Sequence, residues 1–219
     1  MNSMMKGLSH MQAVEVREGT ILERELTLED VSGMHSAKRV LEIALAGSYG
    51  AVFLYNTNSQ AVDLMRAGKR IATTHGLVFH GLAYPVCPCG CYGSKTSKCL
   101  CKHTEISRHL AKLARRQHEF DLWFDACRAK PVESMTEPNE PETDVVRRIL
   151  AARRNIQSAM MPDYDAVGVL KHWQEYTGRT SNTDRILGIA STIAKLDGIT
   201  TTLRTLHVGE AIQYQIQAI

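Results

Sequence analysis

The chain has 219 residues, 44% of them hydrophobic and 22% charged, a composition that excludes disorder, collagen and coiled-coil arrays as the dominant state. No run approaches the roughly 18 apolar residues of a membrane helix, and the opening MNSMMKGLSHMQ lacks the apolar stretch of a signal peptide, so a cytoplasmic protein with reduced thiols is expected. A net charge of +3 is too small to argue for nucleic acid, which leaves the distribution of charge to decide.

Residues 1–26 carry mixed charge without periodicity and read as an N-terminal extension, with a short strand expected around Gly19 to Leu26. Residues 36–47, SAKRVLEIALAG, place Val40, Leu41, Ala44 and Leu45 on one face and stop at Gly47, which predicts an amphipathic helix. The apolar run Ala51 to Tyr55 predicts a buried strand. After the polar turn Asn56 to Ser59, Ala61, Leu64 and Met65 begin a second helical pattern, and a second apolar run, Leu77 to Ala83, leads into a cluster of cysteines. Residues 104–117 predict a strongly basic helix, and Leu122 to Ala126 a third strand. His75 and His80 flank the second strand and read as turn and core residues, not ligands.

Five of the six cysteines fall in the string CPCGCYGSKTSKCLC, from Cys87 to Cys101. Two C-x-C pairs, Cys87/Cys89 and Cys99/Cys101, are separated by a stretch containing Gly90, Gly93 and two serines, which permits the reversal that would gather four thiolates around one ion. Four sulfurs suit tetrahedral zinc, which favours soft ligands and has no geometric preference of its own. Cys91 is the spare thiol and His103 the nearest alternative nitrogen ligand. Neither an open coordination position nor a neighbouring carboxylate pair is visible, so a closed structural site is expected.

Residues 131–144, PVESMTEPNEPETD, hold three prolines and five acidic residues, which forbid a continuous helix and mark a linker. Beyond it the pattern is helical: Val145, Ile149, Ala152 and Ile156; Val167, Leu170 and Trp173; Ile186, Ile189, Ile193 and Leu196, with Gly198 as a stop; and Leu203 to Ile216. These stripes predict a small all-helical unit over 145–219, separate from an α/β unit over 27–130.

Three segments, DVSGMHSAKRVLEIALAG (Asp30 to Gly47), CPCG…CLC with its following basic helix, and RILGIASTIAKLDG…LHVGEAIQYQ (Arg185 to Gln215), resemble in the same order the ComM/YifB-like, magnesium-chelatase-related AAA+ ATPases. The resemblance implies an α+β or α/β nucleotide-binding core reduced to about three parallel strands, followed by a helical lid, in a family of ring-shaped motors acting on DNA. The family's ring assembly leaves an oligomer open. In such a core the strand Ala51 to Tyr55 would lie between Leu77 to Ala83 and Leu122 to Ala126.

The catalytic parts of that family are missing. Where its G-x-x-x-x-G-K-[ST] phosphate cradle should follow the first strand, Asn56 to Ala61 has no Gly, no Lys and no hydroxyl in the last position. Only about 20 residues separate Asn56 from Leu77, too few for the strand and helix that would carry the acidic metal motif. Tyr84 replaces an Asn before the cysteines, Glu119 stands at the arginine-finger position, and Ser181 aligns with the nucleotide-sensing Arg, with Arg179 nearby. A catalytically inactive pseudo-ATPase is expected. The well-kept segment Asp30 to Gly47 leaves nucleotide binding without hydrolysis open.

From Tyr92 to Arg116 seven basic residues, Lys95, Lys98, Lys102, Arg108, Lys112, Arg115 and Arg116, face one acid, Glu105. A zinc-held loop with such charges suits phosphates, and DNA or RNA is the expected partner. Few aromatics interleave with the block, which gives little support to base stacking on single strands. The alternative is a protein-interaction adaptor or inhibitor that mimics a subunit and docks on an active AAA+ ring or another machine.

Overall fold

A computed structural model of the chain describes residues 14–16, 26–128, 139–155, 160–178 and 182–215. The strand expected around Gly19 to Leu26 lies, apart from Leu26, outside the described residues, as do Ile156, Arg179 and Ser181. In chain order the elements are β1 (Val14–Val16), α1 (His35–Gly47), β2 (Gly50–Tyr55), α2 (Ala61–His75), β3 (His80–Pro85), α3 (His103–Ala114), β4 (Leu122–Asp125), α4 (Glu142–Arg154), β5 (Met161–Pro162), α5 (Tyr164–Thr177), α6 (Thr183–Leu196), β6 (Thr202–Leu203) and α7 (Thr205–Gln213). The chain is thus α+β, with seven α-helices among the described residues.

The main sheet has the order β1-β3-β2-β4. β2 is central and parallel to both β3 (Gly50 opposite His80, Tyr55 opposite Pro85) and β4 (Ala51 opposite Leu122), and β1 adds to the outer edge of β3 antiparallel. Successive side chains of a strand point to opposite faces, and the sequence uses this fully. Ala51, Phe53, Tyr55, Ala83 and Leu122 turn into the large core, while Val52, Leu82, Tyr84 and Trp123 meet Leu113 and Phe120 beneath α3. Residues with both faces buried must be apolar throughout, which is why these strands read as unbroken apolar runs.

The large core is continuous across the chain. It joins α1 and α2 to Val145, Val146, Ile149 and Ala152 of α4 and to Ile186, Ile189, Ala190 and Ile193 of α6. The expected amphipathic helix is therefore buried on more than one side: besides Val40, Leu41, Ala44 and Leu45, the side chains of Ala37, Ile43 and Ala46 are also covered. The helix end is held from α4, whose Arg153 guanidinium donates to the carbonyls of Leu45 (3.1 Å) and Ala46 (3.2 Å) and to Ser48 Oγ (2.9 Å). A cation there satisfies carbonyls that a helix terminus leaves without partners.

Residues 131–138 of the proline-rich stretch lie outside the described residues, and α4 begins inside it at Glu142. Glu142 accepts the Leu28 N–H (2.9 Å) and pairs with Arg70, and Asn139 accepts from Lys38 Nζ (3.0 Å). The expectation of helices alone beyond this stretch misses one feature, the two-residue parallel pair β5–β6 that brackets α5 and α6.

Candidate metal centre and its basic surround

The cysteine loop leaves the C-terminal end of β3 and returns at α3. Two turns closed by Gly90 N–H to Cys87 O and Ser94 N–H to Cys91 O (2.9 Å each) fold it, with Gly90 and Gly93 both at φ 71°, where a side chain would be strained. This reversal brings Cys87, Cys89, Cys99 and Cys101 together, all four Sγ within 4.8 Å of one another. The measured separations are 3.5 Å for Cys87–Cys89, 3.8 Å for Cys87–Cys99 and 3.6 Å for Cys89–Cys99. All six cysteines are free of disulfides.

Thiols so crowded cannot all ionise unaided. Against the burial that opposes charge, hydrogen bonds from the Cys91 backbone and from the Cys101 and Cys87 thiols bring Cys89 down to about 6. Burial, the hydrogen bond to the Cys89 sulfur and the charges of Cys87 and Cys89 push Cys101 up to about 12. A cation among them would remove that conflict, since a coordinating thiol is deprotonated outright. The four residues can therefore hold a metal ion.

Cys91 stands aside, its Sγ 3.3 Å from Cys89 O, and Cys127 lies after β4 with its Sγ near Leu54 O (3.8 Å). His103 is exposed in the first turn of α3, its Nδ1 3.5 Å from Ser107 Oγ. His75 ends α2, exposed and directly before the turn at Gly76, and His80 is half-buried against Phe120 with ring centroids 4.8 Å apart.

The loop is anchored on the turn between β2 and α2. Thr57 N–H donates to Gly90 O (2.9 Å), buried Asn56 donates from Nδ2 to Tyr92 O (3.4 Å), and Asn58 Oδ1 accepts the hydroxyls of Ser94 (2.5 Å) and Thr96 (3.1 Å). This is the turn the resemblance assigns to a phosphate cradle. Asn56, Thr57 and Asn58 meet the cysteine loop, while Ser59 Oγ accepts the Ala61 N–H and Gln60 Oε1 the Ser32 N–H.

On the other side, Tyr84 donates its hydroxyl to His109 O (2.9 Å), and His109 Nε2 lies 2.8 Å from Pro85 O, so α3 is pinned to the end of β3. Ile106 and Leu113 bury one face of α3. Arg108, Lys112 and Arg115, spaced four and three apart, lie exposed along the other, and Lys95, Lys98 and Lys102 are exposed on the cysteine loop. Glu105, the acid within the block, is occupied in capping, its carboxylate accepting the Lys102 N–H (2.8 Å).

Arg116 departs from the expected basic set. It forms a two-pronged pair with Glu119 (2.8 and 2.7 Å) and lies 5.5 Å over the Phe120 ring, so the fold uses its charge internally. Glu119, at the supposed arginine-finger position, is the other half of that clamp. Arg185, at the start of α6, pairs with Asp121 (3.2 Å). The residues that sequence reasoning missed are Tyr92 and Leu100, large apolar side chains left exposed by the cysteine loop.

No protein-family model matches the chain, and no curated protein does. Among the described residues no helix is long and apolar enough to cross a membrane.

Proposed function

We propose that this chain is a non-enzymatic, zinc-binding protein of AAA+ descent that binds DNA or RNA through its cysteine loop and α3. The observation that carries the reading is one of coincidence in space: the loop that gathers four thiols also carries a run of exposed lysines with no acid among them. From Cys91 to Thr104 it contains Lys95, Lys98 and Lys102 and no acidic residue, and all three lysines are exposed.

Zinc is favoured by the sulfur spacing. A tetrahedron with Zn–S bonds of about 2.3 Å has edges of about 3.8 Å, and the three separations run from 3.5 to 3.8 Å. With four protein ligands the ion has no open position, so its contribution is to hold the loop in shape. Absence of catalysis is supported by the turn at Asn56 to Gln60, which offers no lysine and whose amide and hydroxyl groups are engaged by the cysteine loop and by nearby backbone N–H groups. Phosphoryl transfer depends almost wholly on positioned charge.

Contacts from Lys95, Lys98, Lys102, Arg108 and Lys112 to five phosphates would give a slope of log K against log salt of about −4.5, so that raising salt from about 50 to 200 mM weakens binding several hundred-fold. A Lys95→Glu/Lys98→Glu/Lys102→Glu protein should keep its metal and melting temperature while losing affinity, with a flattened slope. Absence of binding near 50 mM salt overturns the reading. The adaptor alternative draws support from α5, where Tyr164 and Tyr176 are 90% and 86% exposed. A protein partner retained after nuclease digestion, with no nucleic-acid binding at low salt, would put it first.

A further inference from the structure

The cysteine loop carries two side chains that do not suit a purely electrostatic surface. Tyr92 is 53% exposed and Leu100 is 71% exposed, whereas Tyr55 and Tyr84 elsewhere in this half of the chain are buried. Their exposure is imposed by the thiol cluster. The Tyr92 N–H donates to Cys87 Sγ (3.3 Å) and its carbonyl accepts from buried Asn56 (3.4 Å), so the backbone is fixed on both sides of the ring. Leu100 stands between Cys99 and Cys101, whose thiols both belong to the cluster, so its backbone position is set from both sides.

A rigid backbone beneath an exposed aromatic ring has already lost the backbone freedom that binding would otherwise cost, which leaves only two side-chain torsions to order. Lysines beside it supply attraction to phosphates, but phosphates offer nothing to a ring or an isobutyl group. The faces of bases do, and in a duplex those faces are stacked on one another. Unpaired bases present them freely, and stacking on an aromatic side chain is worth about 1–3 kcal/mol per base.

We propose that the loop selects single-stranded nucleic acid, with the Tyr92 ring stacked on an unpaired base, Leu100 packed against the adjoining nucleotide, and Lys95 and Lys98 on the flanking phosphates. This rests on the nucleic-acid reading of the same loop.

The test uses the full, metal-loaded chain and fluorescein-labelled oligonucleotides, a 15-mer of thymidines and a mixed-sequence 15-base-pair duplex, read by anisotropy at about 50 mM salt. The single strand should bind more tightly than the duplex. Tyr92→Ala should weaken single-strand binding roughly tenfold, within the range for one lost stack, while leaving metal content and the salt slope unchanged, because no phosphate contact is removed. Tyr92→Trp should restore affinity, and its added indole emission should be quenched by the 15-mer. Equal affinity for duplex and single strand, an unaltered affinity in Tyr92→Ala, or unquenched emission in Tyr92→Trp overturns the stacking proposal while the basic-loop reading stands. Failure of both oligonucleotides to bind overturns the two together.

Discussion

Glu42 is a carboxylate placed where carboxylates are rarely found. It lies on α1 with only 7% of its side chain exposed, and Arg148 of α4 reaches it at 2.7 Å while also pairing with Glu140. Its Oε2 has no hydrogen-bond partner, Arg39 approaching only to 3.9 Å. Burial raises Glu42 above its ordinary value despite the opposing pull of Arg148. Removing the guanidinium leaves a buried charge with only Arg39, 3.9 Å away, so Arg148→Met should cost about 3 kcal/mol near neutral pH, at the low end for a buried pair because Arg148 keeps some exposure. A folded value raised above the unfolded one gives stability that is complete below the unfolded value and lost as pH rises through the folded one. Urea unfolding should therefore show the Arg148→Met deficit growing from acid to neutral pH, and the Glu42→Gln/Arg148→Met double variant should lose that dependence. A pH-independent deficit would mean the loss is one of packing.

Two glycines on different elements should respond oppositely to the same added methyl. A Cβ on Gly50, at the start of β2, would lie 2.6 Å from the carbonyl oxygen of Glu119 and 3.2 Å from Phe120 Cα. These are backbone atoms, tied to β2 by Gly50 N–H to Asp121 Oδ2 (3.0 Å) and Asp121 N–H to Gly50 O (2.8 Å), and they cannot step aside. Gly50→Ala should lower the urea midpoint by an amount equivalent to about 1–3 kcal/mol. Gly168, exposed within α5, has nothing within 4 Å of its Cβ position, and Gly168→Ala should raise the midpoint by up to about 1 kcal/mol. The strands were legible because burial on both faces writes an unbroken apolar run. β3 is displaced, from the expected 77–83 to 80–85, because Leu77 and Phe79 are apolar for another reason: they pack into the core between α2 and the sheet. β5 and β6, two residues each, are too short to carry any period. The second buried side of α1 could not be read locally, since its partners come from α4 and α6. The thiol cluster was legible from two C-x-C pairs, whereas Tyr92 was not, its exposure depending on turns at Gly90 and Gly93 that set where the ring points.

At the scale of the whole molecule, a bound ion adds its binding free energy to folding. At free metal a thousandfold above the dissociation constant this is about 4 kcal/mol, or roughly 8–16 °C in Tm for a chain of this size. Chelation should lower Tm by that order, and Cys87→Ser, Cys89→Ser, Cys99→Ser and Cys101→Ser should each abolish metal content, whereas Cys91→Ser and Cys127→Ser should retain it. A fully loaded Cys99→Ser protein would reject the four-thiolate site. The central position of α1 has a different consequence, for synthesis. The helix is made early, but α6, which covers part of it, is complete only about 150 residues later, at Leu196. At about 5–20 residues per second the ribosome needs roughly 8–30 s to supply that cover. For that interval the nascent chain carries a finished helix with an apolar flank and nothing to lay against it, which makes the unfinished polypeptide a better client for a chaperone than the completed one.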